Sequence, residues 1–173
     1  PEIGDILSKS HLIVNPEGRV VEIDQYHEMI SLGYSNPTPW KTPREMTEDE
    51  LGARIEELVS MVKNVPNSVF NLHVPPFGSG LDQAPQLDEE LRPAVSMGEL
   101  LKVPVGSTAV LKAIEKHQPL IGLHGHIHES AGEVRIGRTM CLNAGSEYQS
   151  AILRGYVIDL EKDRLRQWLR VEA

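Results

Sequence analysis

The sequence predicts a mixed α/β sandwich, and three observations carry that prediction. Two amphipathic helices, starting after Thr47 and Ser107, are each followed by a short apolar strand. The last third of the chain alternates strand-like segments with turns, and histidine-bearing turns stand directly after two of the apolar strands. Helices followed by buried strands build an α/β layer, and a strand-rich tail adds antiparallel strands to it. With 173 residues the chain has the size of one domain, 1–173, and is long enough to bury its own core.

Taken in order, residues 2–8 read as the end of a helix. Residues 12–14 and 19–23 alternate apolar and polar positions around Asn15-Pro16-Glu17-Gly18, which predicts a hairpin. Residues 27–32 predict another strand, ended by a segment whose Pro37 and Pro39 suit neither a helix nor a central strand. Thr47-Glu48-Asp49-Glu50 is a capping box, and behind it Leu51, Ile55, Leu58, Val59 and Val62 recur at helical spacing. Residues 68–73 form a strand leading into Val74-Pro75-Pro76. From there to Pro104 five of the twelve prolines occur without periodicity, which predicts a long functional or disordered loop. Ser107 caps a second helix with Ala109, Val110, Ala113 and Ile114 inward, stopped near His117-Gln118-Pro119. Residues 119–123 read as a buried strand, and 135–142, 151–160 and 164–171 as further strands.

Composition removes several classes of function. Twenty-five acidic against seventeen basic residues give a net charge of −8, which repels a phosphate backbone, so no sequence-specific or non-specific nucleic-acid partner is expected. The single cysteine, Cys141, excludes an internal disulfide framework and suits a reducing compartment; it sits in a strand, where a buried, inert role is expected. No window of 18 apolar residues and no secretory leader pattern is visible, so a cytoplasmic protein without a membrane partner is the expectation. No repeat of 20 to 50 residues is present.

The chemistry concentrates at Gly122-Leu123-His124-Gly125-His126-Ile127-His128-Glu129, where three of seven histidines fall within five residues. In extended chain, residues two apart point to one side about 6.5 to 7 Å apart, so His126 and His128 can serve one metal ion or two adjacent ones. Their place after a buried strand is where α/β sheets hold ligands. His73 stands in a matching place at the end of residues 69–72, and Asn143-Ala144-Gly145-Ser146 forms a third such end. Convergence of His73, His126 and His128 on one cleft is the expectation. The alternative for each segment alone is a plain turn or a hydrogen-bonded loop histidine.

Taken together, Asn71-Leu72-His73-Val74-Pro75-Pro76, Gly125-His126-Ile127-His128 and Leu142-Asn143-Ala144-Gly145-Ser146 resemble the calcineurin-like metallophosphoesterases, in particular small stand-alone bacterial and archaeal phosphoesterases. The resemblance implies a four-layer αββα sandwich with two divalent metal ions (Mn, Fe, Zn, Co or Ni) at the carboxyl ends of the strands. It implies a bridging hydroxide that attacks phosphorus, and a phosphorylated small-molecule or nucleotide substrate. Carried over residue by residue, His73 and His126 correspond to ligands of one ion and His128 to a ligand of the other. His124, Asn143, Gly145 and Ser146 fall to supporting or substrate-loop positions. The family also carries an upstream D-x-H, a G-D whose aspartate bridges the ions, and a G-N motif, and this sequence has none of them. Gly4-Asp5 lacks a preceding strand, and Asp24-Gln25-Tyr26-His27 has the wrong spacing. Pro1-Glu2 resembles the residues that follow the asparagine motif, so the expectation is the C-terminal two-thirds of the domain, with an N-terminal segment as a missing companion and the chain inactive alone.

Two other classes remain open from the residues. A cupin-type single-metal protein also uses H-x-H, with Glu133 in the position of its glutamate, although no histidine follows His128. A non-catalytic metal- or phosphate-binding scaffold is compatible with the missing carboxylates. Tyr148, Trp40 and Phe77 are candidates for lining a substrate pocket, with packing, the ordinary role beside Pro-rich loops, as the alternative. Arg92, Arg154 and Lys41 are candidates for holding phosphate, with solvated surface charge as the alternative.

Overall fold

The computed structural model describes residues 3–173, apart from the side chains of Ile3 and Ser8; the reading of Pro1-Glu2 lies outside the described residues. A short helix, α1 (Ile3–Ser8), precedes a six-stranded sheet built from β1 (Val20–Glu22), β2 (Glu28–Leu32), β3 (Val69–Leu72), β8 (Ile121–His124), β9 (Gly132–Ile136) and β10 (Thr139–Asn143). Their spatial order is β1-β2-β3-β8-β10-β9. The four middle strands run parallel, and β1 and β9 close the two edges antiparallel. All four parallel strands therefore end on one edge of the sheet, and the turns that carry His73, His126 and His128 leave from that edge.

Helices α2 (Glu48–Ser60) and α3 (Thr108–His117) cover one face. Leu51, Ile55 and Leu58 of α2 and Val110, Ala113 and Ile114 of α3 pack with Ile30, Phe70 and Leu72 of the sheet, burying the stripe that the helical spacing predicted. Thr47 and Glu50 close the capping box, with the Thr47 hydroxyl oxygen accepting from the Glu50 amide. Glu48 also reaches across to α3. It accepts from the Ser107 hydroxyl at 2.6 Å and the Ala109 amide at 2.8 Å, so a carboxylate of one helix satisfies first-turn donors of the other.

On the opposite face lies the hairpin β11 (Arg154–Glu161)–β12 (Arg164–Glu172), whose Tyr156, Ile158, Leu160, Leu165 and Trp168 pack on Val69, Ile121, Met140 and Leu142. Helices, sheet and hairpin form the mixed α/β sandwich that the sequence predicts. Among the described residues no helix is long and apolar enough to cross a membrane.

Three expectations need correction. Residues 12–14 join no strand: Leu12 is 96% exposed and no strand among the described residues pairs with it, while β1 pairs with β2 instead. The Asp24 carboxylate accepts from the Tyr26 and His27 amides and turns the chain between these two strands. The strand expected over 135–142 is two strands, because Gly137 at φ +59° turns the chain back between β9 and β10. The stretch from 74 to 104 is not structureless. It holds two small antiparallel pairs, β4 (Gln83–Pro85) with β7 (Lys102–Pro104) and β5 (Val95–Ser96) with β6 (Glu99–Leu100).

Candidate metal and phosphate site

Backbone pairing carries past the strand ends and fixes the histidines. The His73 amide donates to the Leu32 carbonyl at 3.0 Å, and the His73 carbonyl accepts from Gly125 at 2.9 Å. His73 is thus held between the ends of β2 and β8. Beyond Gly125 the chain makes a three-residue turn in which Ile127 N–H donates to the Gly125 carbonyl, with His126 at its centre at φ +63°. A side chain at positive φ carries strain that a glycine there would not, and such residues concentrate where function holds them.

This geometry sets the His73 and His126 rings edge to face with centroids 5.1 Å apart. The next histidine, His128, is exposed, and its ring stands edge-on to Tyr148 at 5.6 Å. Desolvation by the surrounding chain, then the neighbouring imidazoles, lowers the pKa of His73; the His126 pKa is lowered by burial and then by His128. Both rings are neutral at pH 7 and keep a lone pair for a cation. The three imidazoles border different cavities. His73 faces a cleft of about 320 Å³ with Ser31 and Asn71, His126 one of about 710 Å³ with Trp40 and Phe77, and His128 one of about 560 Å³ with Tyr148, Arg154 and Arg170. Among the described residues no three histidine, cysteine, aspartate or glutamate side chains form a set arranged to hold a metal ion.

The carboxylates that act electrostatically on His73 and His126 are engaged elsewhere. Glu17 accepts from the Gly33 amide and from Arg44 at 2.6 Å, while Glu45 accepts from Thr38 and Thr42 through amides and hydroxyls. Those donors hold the Glu45 pKa down at about 2.

The supporting residues brace this arrangement. His124 is buried, and its Nδ1–H donates to the Leu72 carbonyl at 2.9 Å, pinning the strand end directly before His73. Burial lowers its pKa to about 4, so it stays a neutral imidazole. Asn143, fully buried, donates its amide to the carbonyls of Ile127, Ser130 and Leu81 and accepts from the Gly145 amide. Gly145, at φ +73°, lies so close that a Cβ would come within 2.8 Å of the His128 carbonyl, which accepts from the Ser146 amide at 3.1 Å. One asparagine therefore ties together the histidine turn, the loop after His73 and its own turn.

Asp82 is a residue that sequence reasoning misses. It is fully buried and accepts from the amides of Gly78, Gly80 and Gly106, folding the loop that follows His73; an aspartate closing a glycine-rich run is the available signal. Of the candidate phosphate ligands, Arg92 is tied to Asp88 and Glu90, and Arg154 bridges Glu147 and Glu172. Lys41 sits at the tip of the 38–45 turn at φ +50°. Trp40, Phe77 and Tyr148 do not pack into the core: they are 63%, 39% and 65% exposed.

No family model matches the chain. It is 32% identical over 132 residues to MJ1162 of Methanocaldococcus jannaschii, a protein described as uncharacterized; the match takes in 75% of this chain and 53% of that protein. The chain thus spans about half the length of this relative. Among solved structures, one overlays with a TM-score of 0.54 at 15% identity, over 82% of this chain and 49% of the other. TT1561 of Thermus thermophilus overlays at 0.50 and 13% identity, over 81% and 52%. At these identities the likeness shows the fold alone. The sulfate thiohydrolase SoxB of Thermus thermophilus reaches 0.43 at 14% identity, over 89% and 24%, too loose an overlay to place any residue.

Proposed function

We propose that this chain is the histidine-bearing part of a metal-dependent phosphoester hydrolase. The observation that carries this reading is the delivery of His73 and His126, from the ends of two adjacent parallel strands, to rings 5.1 Å apart, with His128 two residues further on. Neutral imidazoles suit Mn, Fe, Co, Ni and Zn, so the donor set fits one divalent ion; Glu17 and Glu45, the carboxylates that act on His73 and His126, are engaged by Arg44 and Thr38 rather than placed to bridge a second. When bound, such an ion supplies Lewis acidity toward a phosphoryl oxygen and lowers the pKa of water. The chain's own groups do the positioning. His124 and Asn143 fix the strand ends and the turn, and Arg170 on the His128 side offers positive charge to an anionic substrate.

The test is a Co²⁺ titration of this chain followed by visible absorption, together with hydrolysis of glycerol 2-phosphate and bis(p-nitrophenyl) phosphate by a protein extended upstream of it, since the 173-residue chain is expected to be inactive alone. His126→Ala and His128→Ala are each expected to lower kcat by a thousandfold or more, corresponding to about 4 kcal/mol of barrier. His117→Ala, whose ring pairs with Glu56 at the far end of α3, is expected to leave turnover in place. Turnover unaffected by His126→Ala would remove the histidines from the chemistry. Cobalt binding without any turnover would favour a non-catalytic metal- or phosphate-binding scaffold.

A further inference from the structure

The cavity of about 710 Å³ at the mouth of which His126 stands has walls that the phosphoester reading does not use. Trp40 and Phe77 line it from two different loops, with Pro37, Pro85, Leu87 and Ile127 between them. Both aromatic side chains are exposed, yet neither loop is loose. Four hydrogen bonds from Thr38 and Thr42 converge on Glu45 and shape the turn that carries Trp40. Three backbone amides converge on the buried Asp82 and shape the turn that carries Phe77. Two built loops thus present apolar rings to solvent, where each ring forgoes the burial that a core position would give it. The same wall holds a buried polar atom without a partner: Asn36 donates to the carbonyls of Val105 and Gly106, while its Oδ1 accepts from no described residue. A cavity of this size, apolar with a few polar groups, has the dimensions of a small-molecule site.

We infer that this cavity binds the aromatic leaving group of a phosphoester, an aryl or heteroaryl ring carrying an N–H or O–H donor, whose phosphoryl end lies at His126. The ring covers Trp40 and Phe77 and supplies the apolar contact that those side chains lack. This rests on the phosphoester reading only for the phosphoryl half of the ligand, at His126, because Trp40, Phe77 and Asn36 form the ring end of the cavity.

The test separates the two. Isothermal titration of the metal-free protein uses 1-naphthol, 1-naphthyl phosphate and glycerol 2-phosphate as probes. Both naphthyl compounds are expected to bind and glycerol 2-phosphate is not. Trp40→Ala and Phe77→Ala should each weaken 1-naphthol binding by about tenfold. Trp40→Phe, which keeps an aryl wall, should restore most of the affinity, and His128→Ala, whose ring borders a different cavity, should leave 1-naphthol binding intact. Both truncated side chains are exposed, so the variants are expected to keep the wild-type melting temperature. Absence of 1-naphthol binding, or binding indifferent to Trp40→Ala, overturns the inference even if metal-dependent hydrolysis of glycerol 2-phosphate is found. A protein that is dimeric in sedimentation, becomes monomeric with Trp40→Ala and ignores 1-naphthol would overturn it in favour of an interface between copies. Naphthol binding without any phosphatase activity in the upstream-extended protein upholds the ring site and overturns the phosphoester reading alone.

Discussion

His126 occupies a backbone conformation that glycine adopts freely and alanine does not, at the centre of a three-residue turn closed by Ile127 and Gly125. Substituting it separates strain from chemistry. His126→Gly removes the imidazole and the strain together, whereas His126→Ala removes only the imidazole, so the glycine variant should be the more stable of the two by roughly 1 kcal/mol. Urea denaturation measures the difference, and an alanine variant at least as stable as the glycine variant would contradict the strained turn. Cys141 gives a second test at this scale. It is fully buried, and burial raises its thiol pKa from the ordinary 9.0 to about 12. The unfolded chain therefore loses this proton first: the contribution is complete below pH 9 and stability falls as pH rises from about 9 toward 12. Comparing denaturation midpoints at pH 8 and 10 for the wild type and Cys141→Ala should show a steeper loss in the wild type, and the native thiol should resist thiol reagents at pH 8.

At the scale of elements, what the sequence reveals depends on whether an interaction is local. The capping box at Thr47 and the Ser107 cap are legible because both partners lie within three residues, and the apolar stripe of α2 is legible because helical period is itself a pattern. The apolar run at 12–14 misleads for the opposite reason. Alternation announces a strand only if a partner edge exists, and the edge of β2 is taken by β1. The order in residues 74–104 and the 38–45 turn comes from carboxylates gathering backbone amides, a device without periodicity. The contact between α2 and α3 is of this non-local kind, since Glu48 caps a helix that begins sixty residues later. Glu48→Ala should cost about 1 to 2 kcal/mol in chemical denaturation, and Glu48→Gln less, because one acceptor oxygen survives. Equal losses for the two would mean that charge, rather than the hydrogen bonds, carries the link.

For the whole molecule, the histidine arrangement is legible as far as topology allows. Strand–histidine units at 69–73 and 121–128 have to share one edge once their strands are parallel and adjacent, as β3 and β8 are. The ring orientations are not legible, because the turn at His126 and the edge-on contact of His128 with Tyr148 depend on loops brought in from Asn143 and Asp82. Metal binding follows from the same distribution of charge. Although the chain carries eight more acidic than basic residues, Glu17 and Glu45, the carboxylates that act on His73 and His126, already serve Gly33, Arg44, Thr38 and Thr42 and are not free to neutralise two cations side by side. Two divalent ions about 4 Å apart repel strongly unless carboxylates stand between them, and imidazoles supply none. The 173-residue chain should therefore bind no more than one divalent ion, held weakly through His73 and His126, and release it as the pH is lowered and these two imidazoles take up protons. Calorimetric titration with Mn²⁺ or Zn²⁺ at pH 7.5 and again at pH 5.5 measures both features. Tight binding of two ions per chain that survives at pH 5.5 would show that carboxylates of this chain rearrange to ligate them, and that the engaged positions of Glu17 and Glu45 are not kept when metal is present.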